Sequence, residues 1–143
     1  MTATTTSAPS GFSPEAFARF WANPNPAEVP AALTEEVVGY WPGRHAPVYG
    51  REAYTKCIAD LLALIPDFHG ELLEHATAND LYFIRWLAFG TGTDGPFHIS
   101  GVDRVRVRDG LVAENVILFD TGAFRELTGH DVPWRDAGGR GCP

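Results

Sequence analysis

The residue in this chain best placed to do chemistry is Asp103. It lies in the run Phe97 to Arg108, FHISGVDRVRVR, which alternates along its length. Phe97, Ile99, Gly101, Asp103, Val105 and Val107 fall on one face, and Arg104, Arg106 and Arg108 on the other. The arginine face must be wet, so the opposite face is the buried one. A carboxylate among valines and isoleucines is costly unless it is paired or holds its proton. Two roles fit. Asp103 is a general base or neutral acid tuned upward by an apolar wall, or it is half of a buried ion pair. Arg85, which shares a face with Phe83, Leu87 and Phe89, is the partner the second role would use.

Other groups could join it. His98 and Ser100 share the arginine face if the strand is regular. Gly101 invites a bulge that would swing both inward and make His98 an acid–base partner. Tyr40 and Tyr54 carry hydroxyls that need partners when buried, and either could orient a substrate carbonyl. With Trp41, Trp86 and Phe89 they would line an apolar, aromatic pocket, or simply form core. His45 and Arg44 lie on a loop expected to flank the pocket mouth or to be solvated. Asp120 precedes Thr121-Gly122, where an aspartate caps a helix well. The five histidines (45, 69, 75, 98 and 130) show no metal-ligand spacing with a carboxylate, and there is no cysteine cluster. No glycine-rich phosphate cradle or nucleophile elbow appears. Any chemistry is therefore expected to need no cofactor and no metal.

The elements that must position these groups follow from local signals. Ser13 caps a first helix with Pro14 at its first position, and Phe12 can staple to Phe17. A short irregular helix is expected over 27–33, disturbed by Pro30. Glu35 to Trp41 reads as a strand, and 42–50 as a loop. Arg51 to Ile65 is the clearest helix, with Tyr54, Ile58, Leu61, Leu62 and Ile65 at helical spacing and Pro66 ending it. Four strands follow, over 68–77, 81–93, 97–108 and 111–120. Asn79-Asp80, Asp94-Gly95 and Asp109-Gly110 make the turns. A last helix over 122–127 ends before Gly129. Helices segregated beside an antiparallel sheet make an α+β domain.

At 143 residues the chain is one domain, with 45% apolar and 20% charged residues. Residues 1–11 and 130–143 read as flexible tails around a 12–129 domain, although Trp134 could dock. A net charge of −7 argues against nucleic acid. There is no apolar run long enough for a membrane span and no secretory signal. Two cysteines, Cys57 and Cys142, make no disulfide framework, which fits the cytoplasm. The strands at 81–93 and 111–120 are apolar on both faces, so the outer sheet face is expected to be covered by a second copy, giving a homodimer.

This layout resembles the nuclear transport factor 2-like superfamily, in its SnoaL-like and ketosteroid-isomerase-like branch. Gly50-Arg51-Glu52-Ala53 opening the long helix, Arg85-Trp86, and Gly90-Thr91-Gly92-Thr93 carry the likeness. So do Gly101-Val102-Asp103, Val105 through Gly110, and Phe119-Asp120 followed by Leu127 and Gly129. The resemblance spans about residues 12–129. It implies a cone-shaped α+β barrel, a curved antiparallel sheet wrapped around the long helix with two N-terminal helices, enclosing a deep apolar cavity. Family members include isomerases, polyketide cyclases, epoxide hydrolases and non-catalytic binding proteins. In the cyclases an acid ends the last strand, a place Asp120 occupies here. The epoxide hydrolases carry an acid three residues earlier, where this chain has Ile117. The reading is a small-molecule enzyme of isomerase, cyclase or dehydratase type acting on a hydrophobic carbonyl compound. Asp103 would move the proton, and His98 or Tyr40 would polarise the oxygen. Trp41, Tyr54, Arg85, Trp86, Phe89 and His45 would hold the substrate. The competing reading is a binding protein for a small apolar ligand.

Overall fold

In the computed structural model, which describes residues 11–135, six strands form one sheet and three helices pack on it. Helix α1 (Pro14–Ala22) is capped by Ser13, whose side chain accepts from Ala16 N, and Phe12 meets Phe17 edge to face. Two single-turn 3-10 segments, Pro26–Glu28 and Pro30–Ala32, replace the expected short helix. Strand β1 (Leu33–Tyr40) leads to β2 (Val48–Tyr49), a two-residue strand inside the expected loop. Helix α2 (Arg51–Leu64) buries Tyr54, Cys57, Ile58 and Leu61. Then come β3 (His69–Ala78), β4 (Leu81–Gly92), β5 (Gly95–Arg108), β6 (Leu111–Leu118) and α3 (Thr121–Thr128).

The β5–β6 hairpin turns on Asp109 and Gly110, both at positive φ (55° and 81°), as the two-residue turn requires. The sheet order is β2-β1-β6-β5-β4-β3. All pairings are antiparallel except β1 with β6, which is parallel. The last strand thus returns beside the first, the sheet curls, and α2 lies in its hollow. This is the α+β cone expected from the sequence. On the inner face Val37, Ile84 and Val105 are each at most 1% exposed, and Val37 and Val105 share one apolar core with Ile65 and Phe124. No helix among the described residues is long and apolar enough to cross a membrane.

Two further expectations change. Segment 130–135 falls in an expected tail, but Val132 and Trp134 are buried. The remainder of the expected tails, at 1–10 and 136–143, with Cys142, lies outside the described residues. Gly101 makes no bulge. The β4–β5 register runs unbroken from Leu81↔Arg106 to Gly92↔Gly95. Its glycine serves another purpose: Trp86 lies across from it, and the indole rests where a side chain would stand.

That close approach gives a test. A methyl group at 101 would run into the Trp86 ring and stand 2.6 Å from the immobile Leu118 carbonyl oxygen. Gly101→Ala should destabilise by about 1–3 kcal/mol, lowering the melting temperature by several degrees in a thermal scan.

Candidate functional site

Asp103 is 7% exposed and faces the hollow from the middle of β5, as the alternation requires. Each carboxylate oxygen has a partner. Trp86 Nε1, reaching over Gly101 from β4, donates to Oδ1 at 2.8 Å. Asn115 Nδ2, from the inner face of β6, donates to Oδ2 at 2.9 Å. The other hydrogen of that amide goes to the Tyr54 hydroxyl on α2, at 2.8 Å. One asparagine therefore joins a carboxylate to a phenol. Tyr54 accepts this bond, and its own O–H has no acceptor among the described residues, leaving a proton to give a ligand.

Burial pushes the Asp103 carboxyl up to about 6, and the bonds from Asn115 and Trp86 restrain the rise. Burial, then the nearby charge of Asp103, raises the Tyr54 hydroxyl above its ordinary value, so it stays protonated. A group poised near neutrality beside a fixed neutral donor can take a proton from one atom while hydrogen-bonding another.

The space beside these groups is a cavity of about 270 Å³. Phe12, Phe17, Phe20 and Trp21 line it on the α1 side, and a separate aromatic cluster, Trp134 packed on Trp41 and Phe119, lines it as well. Its ionisable lining groups are Glu28, Glu71, Tyr54 and Asp103; no lysine, arginine or histidine among the described residues lines it. Gly39 makes room here too: a side chain would collide with Tyr54 and the Trp41 indole.

The structure brings together Asp103, Tyr54, Trp86 and Trp41 of the residues singled out from sequence. It separates the others. Arg85 is exposed on the outer face and pairs with Glu74 at 2.8 Å, so it is not the partner of Asp103. Even-numbered β4 residues face in, with Ile84 and Ala88 buried, and Arg85 and Phe89 follow the odd ones out. His98, without a bulge, stays on the outer face near Phe89, ring centroids 6.5 Å apart. Tyr40 is 42% exposed, because Val37 and Gly39 take the inward positions of β1. Asp120 caps α3, accepting from Ala123 N at 3.0 Å. His45 is exposed and lies outside the cavity wall.

Asn115 was missed. Its signal was present: it falls between Ala113 and Ile117 on the inner face of β6, a polar side chain among apolar ones, 5% exposed. Its Oδ1 has no partner among the described residues.

The stability of the fold should record this burial. The unfolded carboxyl releases its proton near 3.8, the folded one near 6. Between these values the folded chain holds a proton the unfolded one lacks, so stability falls as pH rises through the window. Asn at 103 carries no charge, and Asn115 can turn its amide over to meet it. In urea titrations from pH 4 to 8, Asp103→Asn should gain on the parent by up to about 3 kcal/mol between pH 4 and 6, then run parallel.

Comparison with known proteins places this architecture. Residues 15–115 match the model of the SnoaL-like domain. A Catenulispora acidiphila protein with a ketosteroid isomerase-like fold, solved with trimethylamine, is 20% identical with a TM-score of 0.73, over 84% of this chain and 94% of that one. IdmH, a candidate polyketide cyclase from Streptomyces antibioticus, is 19% identical at TM-score 0.69, over 83% of this chain and 100% of its own. TerC, co-crystallised with polyporic acid, is 18% identical at TM-score 0.69, over 82% and 100%. No curated protein matches the chain. At these identities the solved structures speak for the fold, and the family model, which spans most of the chain, shows that this protein belongs to the SnoaL-like domain family.

Proposed function

We propose that the protein is an acid–base enzyme, needing no cofactor, that acts on a small, uncharged, largely apolar carbonyl compound. One observation carries the reading: a carboxylate and a phenol hydroxyl, tied by one amide, share an aromatic cavity. At pH 7 Asp103 is mostly ionised, and it removes a proton from the carbon beside the carbonyl. Tyr54 donates to the carbonyl oxygen as charge gathers there. These roles fall to Tyr54 rather than to His98 or Tyr40. Asn115 and Trp86 hold the base in place. Isomerisation, cyclisation and dehydration can all begin with this step. Since every ionisable lining group is an acid, carboxylates and phosphates are disfavoured, which supports an uncharged substrate. The likeness to a candidate polyketide cyclase is in keeping with the substrate class.

The test is deuterium exchange at the carbon beside the carbonyl of 2-tetralone, a compact apolar ketone, followed by proton NMR in heavy water. The protein should speed exchange, with a rate rising about tenfold per pH unit to about 6 and level above. Asp103→Asn should cut the rate by about 10²–10⁴ and Tyr54→Phe by about 10². Exchange no faster than in buffer ends the enzymatic reading.

A second reading, a binding protein for an apolar ligand, is favoured by Ile117. It is the register partner of Asp103 and lines the cavity where a second acid would have helped. Saturable binding of 2-tetralone without exchange would establish it.

We also propose a homodimer through the outer sheet face. Phe83 and Leu118 stand there 42% and 56% exposed, and a lone copy would leave them wet. Sedimentation equilibrium should show a dimer that Phe83→Glu with Leu118→Glu turns into monomers. A monomeric parent protein would dispose of the idea.

A further inference from the structure

We propose that Trp134 is the specificity-determining end wall of the cavity and sets the length of the molecule it accepts. The inference rests on the reading of the cavity as a ligand site, but not on any chemistry there. Trp134 lies beyond the stretch matched by the family model, on a segment with no regular structure, yet it is 5% exposed and lines the cavity. Its ring packs on Trp41 at 4.7 Å and on Phe119 at 6.2 Å. Trp41 in turn meets Tyr54 at 5.3 Å, and Phe119 meets Trp86 at 6.0 Å. The indole thus closes the space behind the two aromatic residues that flank the polar groups.

Independent tethers hold it there. Its Nε1 donates to Pro42 O at 2.7 Å, and Arg44 Nη1 donates to its backbone oxygen at 3.0 Å. Val132 is buried two residues earlier, and Asp131 accepts from Arg135 at 3.2 Å. A side chain fixed at both its ring and its backbone is a wall and not a mobile cover. None of these contacts is made directly to Asp103, Asn115 or Tyr54; the links to them run through Trp41 and Phe119.

The experiment is calorimetric titration with two uncharged ketones of different length, 2-tetralone with two fused rings and anthrone with three. The parent protein should favour 2-tetralone. Trp134→Ala should shift the affinity ratio toward anthrone by about tenfold or more, and Trp134→Phe by less, because a pocket discriminates by the volume left to fill. The Ala variant will also lose stability, so Trp134→Phe, which keeps an aromatic ring, decides the matter if the Ala variant does not fold. An unchanged ratio in a folded variant overturns the assignment of Trp134 and leaves the ligand cavity standing. Failure of the parent protein to bind either ketone overturns both.

Discussion

A carboxylate held in an apolar interior is the constraint to which the rest of this molecule answers. Asp103 needs donors, because an ionised oxygen without them could not stay 7% exposed. The fold supplies one from each side. Trp86 reaches from β4 and Asn115 from β6, at 2.8 and 2.9 Å. Neither donor is charged. A cation would have pulled the group toward the ordinary carboxylate range, as a guanidinium does, and two neutral donors leave burial dominant. The site is thereby poised near neutrality rather than locked as an ion pair.

Other features follow from keeping those donors in place. Trp86 can lie flat only because its cross-strand neighbour is Gly101, and Tyr54 and the Trp41 indole can close over β1 only because Gly39 lacks a side chain. These glycines give up backbone entropy and β propensity for space. The Oδ1 of Asn115 and the Nε1 of Trp41, both without a partner among the described residues, belong to residues that line the same cavity.

Much of this was legible in the chain. Asp103 announced itself because three arginines alternate with it and settle which face is wet. The helix caps at Ser13 and Asp120 and the turn at Asp109-Gly110 rest on backbone chemistry that acts over a few residues. The misplacements on β4 have one cause. Strand β4 is apolar on both faces, so periodicity could not choose between them; the large aromatic Phe83 and Phe89 suggested the wrong one and carried Arg85 with them. Asn115 escaped because an uncharged amide raises no alarm until a register places it diagonally across from an acid, two residues from Ile117 on the same face. That register shifts between Arg106 and Val107, which no local signal reports. Trp134 sits in a Gly- and Pro-rich stretch whose composition hides a packed residue.

The two margins of the sheet carry a consequence for behaviour in crowded solution. One margin is β2, only two residues long, and the other is β3, which bends at the irregularity between Leu72 and Glu74 and displays Glu71, Glu74 and His75. Neither offers a long flat row of free amides and carbonyls to a stray strand. Fibril-like growth by adding strands sideways is thus discouraged, at one end by the shortness of β2 and at the other by the break and the charges of β3.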